Sequence, residues 1–336
     1  MRISWGLLSR YREELYGISI IWIVLFHGIG TRGVQLPKFL NFAKPFLQHG
    51  NCGVEVFLFM SGICLYFSFK NCNNLKDFYI KRLKKLLLPL LLTNGFWWFY
   101  KYVIIKGELL SFFKRITFYS FWFEKEHAAW FVALIIVLYL LYPFIYKLME
   151  DNKLTISMIV AFLICYYTLI WVFKYIDYKW YLNIEIALTR VPVYIVGAFC
   201  GKLVYNDETF DDKSRLLLFV LLIYGFIFFY YQPCSLIKNL RIPYLFIGPS
   251  LAIWISILLE IINNSTLNKQ ISLWGGRSLE LYLSHLVLRD VFYKIITSNS
   301  NQKINFGIYI IICLFGAMIY SSSIKFVNNF VLDKRK

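Results

Sequence analysis

The chain lacks the signatures of the common soluble enzyme classes. It has no Walker-type phosphate loop, no GxSxG nucleophile elbow and no zinc-ligand spacing. Its seven cysteines are scattered and none forms a CxxC pair, so we interpret them as small core residues rather than as a disulfide framework or metal site. Only 16% of the residues are charged. We therefore expect neither a soluble domain nor a bound metal.

Apolar residues are abundant instead. They make up 59% of the chain, aromatic residues make up 20%, and the mean hydropathy is +0.58. A soluble protein of 336 residues could not bury so much apolar surface. Apolar runs of about 17–25 residues recur along the chain, which indicates an all-α, polytopic membrane protein with about ten transmembrane helices. We expect one integral-membrane domain over residues 1–336.

The predicted spans have short loops between them. They cover residues 14–30, 53–70, 83–105, 129–149, 154–174, 184–204, 214–231, 243–262, 274–297 and 305–329. Residues 1–14 are polar and no small-residue cleavage site follows the first span, so a signal peptide is not expected. The loop 106–128 contains an amphipathic stretch, Leu109 to Phe123, that predicts a short helix at the membrane interface.

The formal net charge is +17. In a soluble domain this charge would indicate nucleic-acid binding, but in a membrane protein lysine and arginine sit in loops, where they contact anionic lipid and set topology. An even number of spans places both termini on one side. The cationic cluster of Lys81, Arg82, Lys84 and Lys85 lies on that side and predicts that both termini are cytoplasmic. The expected location is the inner or plasma membrane.

The first candidate for chemistry is His27, which directly follows the apolar run from Leu15 to Phe26. An ionisable side chain is costly at the end of a membrane span. Imidazole titrates near neutrality and can take a proton from a hydroxyl group, as a general base does. The alternative is a histidine at the membrane boundary that is hydrogen-bonded to a loop. Position alone does not decide between them.

A second candidate is Glu55 in the stretch GVEVFLFMSG, from Gly53 to Gly62. Its carboxylate either lies at the water interface or orients His27 or a substrate hydroxyl. The small residues Gly53, Ser61 and Gly62 predict close packing of this helix against its neighbours.

The cationic cluster lies in FYIKRLKKLLLP, from Phe78 to Pro89. One interpretation is an anchor for the third span on the cytoplasmic side. The other is a phosphate site, because arginine offers a bidentate fork and lysine a point charge to a nucleotide or pyrophosphate.

A late polar block occurs in WGGRSLELYLSHLVLRD, from Trp274 to Asp290. Glu280 and Ser284 are four residues apart and share a helix face, whereas Tyr282 and His285 face elsewhere. These side chains either join helices or contribute to a site.

Weaker signals occur in two other spans. Trp130 begins an apolar run and Arg190 precedes Pro192. Gly197 and Gly201 are four residues apart, which favours close helix packing. The residues expected to support a substrate are Ser61, Trp130, Arg190, Glu280, Tyr282 and His285.

The order of these motifs resembles that of the membrane acyltransferase 3 family over nearly the whole chain. The motifs are LFH ending at His27, GVEVFLFMSG, an RxxR-like element at Arg82, WFVALIIVLYLLYP, RVPVYIVGAFCGKL and RSLELYLSH. The resemblance implies transfer of an acyl group, usually acetyl, from cytoplasmic acyl-CoA to a hydroxyl of an envelope glycan or glycolipid. It implies no metal, and the esterase-like extra domain of some relatives is not expected here.

The resemblance also implies roles for individual residues. His27 matches the family's catalytic histidine, Glu55 falls where the family carries an acidic residue, and Glu280 and His285 fall in its late serine–tyrosine–histidine block. Arg82 matches the first arginine of the element associated with the acyl donor.

Two positions depart from the family pattern. Lys85 replaces the second arginine of the donor element, which keeps the charge but not the bidentate geometry. Tyr16 stands where an arginine is usual, and Arg12, one helical turn earlier, is the expected substitute.

Two rival functions also fit parts of this pattern. Intramembrane histidine and glutamate also suit a proton-coupled transporter of a lipid-linked sugar or small metabolite. No matching pair of broken spans occurs in the two halves of the chain, which weighs against that alternative. A membrane scaffold would not explain the polar residues in spans one, two and nine.

Overall fold

The computed structural model describes residues 3–30, 34–150, 156–231, 241–298 and 304–333. Almost all of these residues are helical. Helices satisfy every backbone N–H and C=O group within one segment, which a chain in lipid requires. Some positions of the sequence lie outside the described residues: Cys234, the first two residues of the predicted span 154–174, and the three cations of the C-terminal tail, Lys334, Arg335 and Lys336.

Nine α-helices lie among the described residues of the N-terminal half. They are α1 (Leu7–Arg10), α2 (Arg12–Gly30), α3 (Lys44–Gln48), α4 (Cys52–Lys70), α5 (Leu75–Leu90), α6 (Phe96–Trp98), α7 (Leu109–Ile116), α8 (Tyr119–Phe123) and α9 (Trp130–Glu150). A 3-10 helix covers Lys38–Ala43. Two π-helical segments, π1 (Leu91–Gly95) and π2 (Phe99–Ile105), flank α6, so α5 continues as one long helical run to Ile105.

Nine further α-helices follow among the described residues. They are α10 (Ile156–Ile176), α11 (Tyr178–Leu188), α12 (Val191–Tyr205), α13 (Asp212–Tyr231), α14 (Ile242–Ile262), α15 (Ser265–Gly275), α16 (Ser278–Ser298), α17 (Phe306–Ile310) and α18 (Ala317–Asp333). A third π-helical segment, π3 (Ile311–Gly316), joins α17 to α18. The strands β1 (Val34–Gln35) and β2 (Ile304–Asn305) form a short parallel pair.

Seven helical stretches of the described chain are long and apolar enough to cross a membrane. They are Arg12–Gly30, Cys52–Lys70, Trp130–Glu150, Met158–Ile176, Tyr178–Tyr205, Ile242–Ile262 and Phe306–Ile324. The prediction of an all-α membrane protein is therefore confirmed. The other three predicted spans, 83–105, 214–231 and 274–297, coincide with helices that are not among the seven. The number of about ten spans stays a prediction.

Helices α4 and α12 pack closely in the centre of the molecule, as their glycines predicted. A β-carbon added to Gly62 would lie 2.5 Å from the carbonyl oxygen of Tyr194, and one added to Gly197 would overlap the backbone of Phe59. Glycine at these positions lets the two backbones touch, which is how helices associate in lipid. The contact brings Glu55 of α4 next to the start of α12.

Helix α5 begins and ends at identifiable signals. Asn74 caps its N-terminus by accepting a hydrogen bond from the backbone N–H of Asp77 at 2.8 Å. Near its end, Pro89 has no N–H, and the hydroxyl of Thr93 donates to the Pro89 carbonyl at 2.7 Å. The helix then loosens into π1, which places the buried side chain of Asn94 on the inner face. π-helical segments often occur at functional sites.

The amphipathic stretch from Leu109 to Phe123 forms two short helices, α7 and α8, rather than one. The break occurs at Phe118, whose φ of 62° is left-handed and strained for a non-glycine residue. Lys114 forms an ion pair with Glu124 across the break. Hydrogen bonds from Lys114 and Ser120 lower the pKa of the Glu124 carboxyl. The pair thus links α7 to the residue that follows α8.

Candidate active site

Two cavities adjoin each other inside the helical bundle. The first has a volume of about 680 Å³ and is lined mainly by α2, α4, α5, α9 and the start of α16. The predicted site residues that line it are Arg12, Ser61, Arg82, Lys85, Glu280 and Tyr282, and Tyr16 also lines it. The structure thus brings together all three residues predicted to bind the acyl donor.

The cations of the first cavity come from two helices. Lys81 and Lys85 are four residues apart on α5, so they share one face, and Arg82 lies beside them. The Nε–H of Arg82 donates to the Ser68 hydroxyl of α4 at 3.2 Å. Arg12, at the start of α2, contributes a further guanidinium group, which pairs with Glu13 at 2.8 Å. Lys84, the fourth cation of the cluster, is exposed and does not line the cavity.

The second cavity has a volume of about 370 Å³. Tryptophan rings and polar side chains both line it. The residues with polar or aromatic side chains are His27, Asn94, Trp97, Trp98, His127, Trp130, Tyr282, Arg289 and Asp290. Of these, His27, Trp130 and Tyr282 were predicted from the sequence.

His27 at the end of α2 is hydrogen-bonded to His285 of α16. The Nδ1 atom of His27 lies 2.9 Å from Nε2 of His285, and Nδ1 of His285 lies 3.0 Å from the Leu281 carbonyl oxygen. A carbonyl oxygen only accepts, so Nδ1 of His285 must carry a proton. In a neutral ring its Nε2 then accepts, and His27 donates from Nδ1. The lone pair of a neutral His27 is therefore on Nε2.

This arrangement assigns the orientation of His27 to His285 rather than to Glu55. His285 is fully buried and its position is fixed by the helix that carries it. The sequence identified His285 as a polar residue of a late block but did not reveal its partner. Tyr282, one turn earlier on α16, packs against the imidazole of His285, with ring centroids 5.7 Å apart.

Glu55 forms an ion pair with Arg190, a partner that the sequence did not indicate. The Oε1 atom of Glu55 lies 2.9 Å from Nε of Arg190, and the two side chains are 0% and 3% exposed. These atoms are not aligned for a hydrogen bond, so the attraction is electrostatic. The guanidinium group of Arg190 also lies 4.8 Å from the centre of the Trp130 ring, a cation–π contact. The pair therefore joins α4 and α9 at the junction of α11 and α12.

A second histidine, His127, also lines the second cavity and was not predicted from the sequence. Nε2 of His127 lies 3.2 Å from the Asn183 carbonyl oxygen, so Nε2 carries the proton and Nδ1 of the neutral ring has the lone pair. His127 precedes α9 in a loop, where no apolar span makes a histidine unusual. Asn94 and Asp290 were not predicted either, and both lie within helical segments rather than in a loop.

The chain matches the acyltransferase 3 family, described as an acyltransferase domain, over residues 15–325. It belongs to this family. The acyltransferase 3 resemblance that was read from the motif order is thereby confirmed, and the protein is an acyltransferase. No curated protein and no solved structure matches the chain.

Membership in the acyltransferase 3 family decides between the functions weighed from the sequence. The match includes His27, Glu55, Arg82 and His285, although it does not assign their roles. Arg12 precedes the matched range. The acyltransferase is thus an enzyme with two adjoining internal cavities, one cationic and one that contains histidine and tryptophan.

Proposed function

We propose that this acyltransferase moves an acyl group, usually acetyl, from cytoplasmic acyl-CoA to a hydroxyl of a cell-envelope glycan or glycolipid. One observation carries the proposal. His27 is paired with His285 so that its Nε2 holds the lone pair, and it lines a cavity that shares Tyr282 with the cationic first cavity.

The first cavity suits the acyl donor. Coenzyme A carries phosphate groups, and Arg82, Lys85 and Arg12 present positive charge along one side of the cavity. Arg82 can form two parallel hydrogen bonds to one phosphate, whereas Lys85 supplies a point charge. Because this cationic side lies on the side predicted to be cytoplasmic, the donor enters from the cytoplasm.

The second cavity suits a hydroxyl acceptor. The acceptor oxygen attacks the thioester carbonyl carbon while its proton passes to Nε2 of His27. The carbon–sulfur bond then breaks, and the proton moves from His27 to the departing thiolate. The products are an O-acyl ester and coenzyme A with a free thiol. A transient acyl group on His27 would use the same lone pair.

The residues around the second cavity support a sugar acceptor. The rings of Trp97, Trp98 and Trp130 offer flat apolar faces, and Asn94 and Asp290 offer hydrogen-bonding groups. Ligand sites commonly combine aromatic walls with a few polar groups that fix orientation.

We place the enzyme in the inner or plasma membrane with both termini cytoplasmic.

The test is mass spectrometry of envelope glycans and glycolipids from cells with the gene, without it, and with a His27→Ala allele. We expect an acyl mass, usually that of acetyl, to disappear in both altered strains. An unchanged mass in every envelope glycan and lipid would contradict the proposed acceptor class.

Replacing Arg82 with alanine is expected to raise the KM for acetyl-CoA by about tenfold or more, because hydrogen bonds to charged groups contribute about 1.5–3 kcal/mol. The measurement is coenzyme A release by membrane vesicles at increasing acetyl-CoA concentrations. Lys84→Ala is the matched control, since Lys84 belongs to the same cluster but does not line the cavity. An equal rise in both variants would indicate a general surface-charge effect instead.

Replacing His285 with leucine is expected to lower kcat by about 100-fold with little change in the KM for acetyl-CoA, because a misplaced catalytic group loses its alignment. His285→Gln should recover part of the rate, since its amide oxygen can accept a hydrogen bond from the His27 ring. A merely structural role for His285 predicts no such difference between the leucine and glutamine variants at equal protein levels.

A further inference from the structure

The two cavities share a single side chain. Of the described residues that line them, Tyr282 alone belongs to both. Its side chain is buried, with 7% of the residue exposed. The ring packs against Phe131 of α9 with centroids 5.4 Å apart, and Phe131 lines the first cavity while its neighbour Trp130 lines the second. Aromatic side chains of α9 and α16 thus separate the cavities.

The reaction must take place where the aromatic side chains of α9 and α16 lie between the two cavities. The donor thioester arrives from the first cavity, and the acceptor hydroxyl whose proton His27 takes lies in the second. Reacting atoms have to approach to about 3–3.5 Å before a bond forms. Tyr282 contacts His285, the partner of His27, so its ring stands beside the dyad and between the two substrates.

We infer that the side chain of Tyr282 is the partition against which the acyl group lies during transfer, and that its bulk sets the size of the acyl group accepted. This inference rests on the proposed function. An acetyl group adds one methyl beyond the carbonyl carbon and needs little room beside the ring. Each additional methylene needs volume that Tyr282 and Phe131 occupy in the wild-type protein.

A smaller side chain at position 282 removes this restriction. One methylene in an apolar pocket changes specificity by roughly 10–200-fold. We therefore expect Tyr282→Ala and Tyr282→Leu to raise the ratio of butyryl to acetyl transfer by about tenfold or more. Tyr282→Phe keeps the ring and should leave the ratio within about twofold of the wild type.

The experiment uses inside-out membrane vesicles that contain the full-length protein. They receive an equimolar mixture of isotopically labelled acetyl-, propionyl-, butyryl- and hexanoyl-CoA, and mass spectrometry measures the acyl groups added to vesicle glycans and lipids. A ratio within one mixture does not depend on how much protein is active. Tyr146→Ala is the matched control, because Tyr146 lies on the same helix as Phe131 but lines neither cavity, so its loss should not change the ratio.

Three results would overturn the inference. The first is an unchanged acyl ratio in the alanine and leucine variants. The second is loss of all transfer in Tyr282→Phe, which would indicate a role for the hydroxyl group. The third is loss of all transfer in alanine and leucine variants that elute as folded protein, since a size restriction tolerates smaller residues. If these two variants do not fold, Phe131→Ala and Phe131→Leu replace them in the experiment. Because Phe131 packs against Tyr282, the same rise in the ratio of butyryl to acetyl transfer is expected.

The result for the wild-type protein distinguishes a failure of the proposed function from a failure of the role assigned to Tyr282. If it transfers none of the four acyl groups, the proposed function fails. If it transfers acetyl but the variants keep its acyl ratio, the assignment of Tyr282 fails and the proposed function stands.

Discussion

The His27→Ala variant is expected to lose acyl transfer by about 10²–10⁴-fold, the usual contribution of a positioned general base. Without the imidazole of His27, the acceptor hydroxyl loses the basic nitrogen that the contact with His285 orients. Donor binding should persist, because the cations that line the first cavity are untouched. The measurement is transfer of labelled acetyl from acetyl-CoA to envelope material in inside-out membrane vesicles.

A histidine elsewhere in the fold provides the control. His49 is buried and its Nδ1 lies 3.2 Å from the Tyr244 hydroxyl, so His49→Gln keeps a hydrogen-bonding group at that position. This control variant should retain transfer, and size-exclusion chromatography should show that both proteins are folded. Full acyl transfer by a folded His27→Ala protein would contradict the proposal that His27 is the general base.

The second large effect concerns the ion pair between Glu55 and Arg190. Glu55→Ala is expected to lower the free energy of unfolding by about 3–5 kcal/mol, because it leaves the guanidinium group of Arg190 buried without its counter-charge. The cation–π contact with Trp130 compensates only part of that loss. Thermal unfolding of the detergent-solubilised protein, followed by intrinsic fluorescence, measures the change.

Two comparisons make this prediction specific to the buried pair. Glu55→Met combined with Arg190→Met should recover much of the stability, since apolar residues often replace a buried ion pair without loss. Glu260→Ala removes the partner of Arg10, whose side chain is 63% exposed, and should cost about 1 kcal/mol or less. Equal losses in Glu55→Ala and Glu260→Ala would show that burial of the pair does not matter.

The predicted positions of the helices agree well with the structure, because each depends on a local run of apolar residues. The first span was predicted at 14–30 and α2 covers Arg12–Gly30, and the fourth was predicted at 129–149 and α9 covers Trp130–Glu150. Close packing at Gly62 and Gly197 was also predictable, since small residues permit helix contact wherever they fall. The split between α7 and α8 was not, because it depends on the strained backbone at Phe118.

Site residues differ in how far the sequence could predict them. His27 and Arg82 stood out because a charged or ionisable side chain beside an apolar run is unusual. Asn94 and His127 lie in ordinary sequence contexts, and their shared cavity became visible only once π1 and the loop before α9 were placed together. The ion pair of Glu55 with Arg190 was not predicted, because it joins residues far apart in the chain and depends on helix packing.

The sequence by itself determined that this protein is a helical membrane protein of the acyltransferase 3 family, because apolar runs and ordered motifs are properties of local sequence. The tertiary structure decided which residues meet. His27 and His285 are 258 positions apart, and Tyr282 separates two cavities built from helices of both halves of the chain. Such contacts depend on helix packing, which no local pattern records.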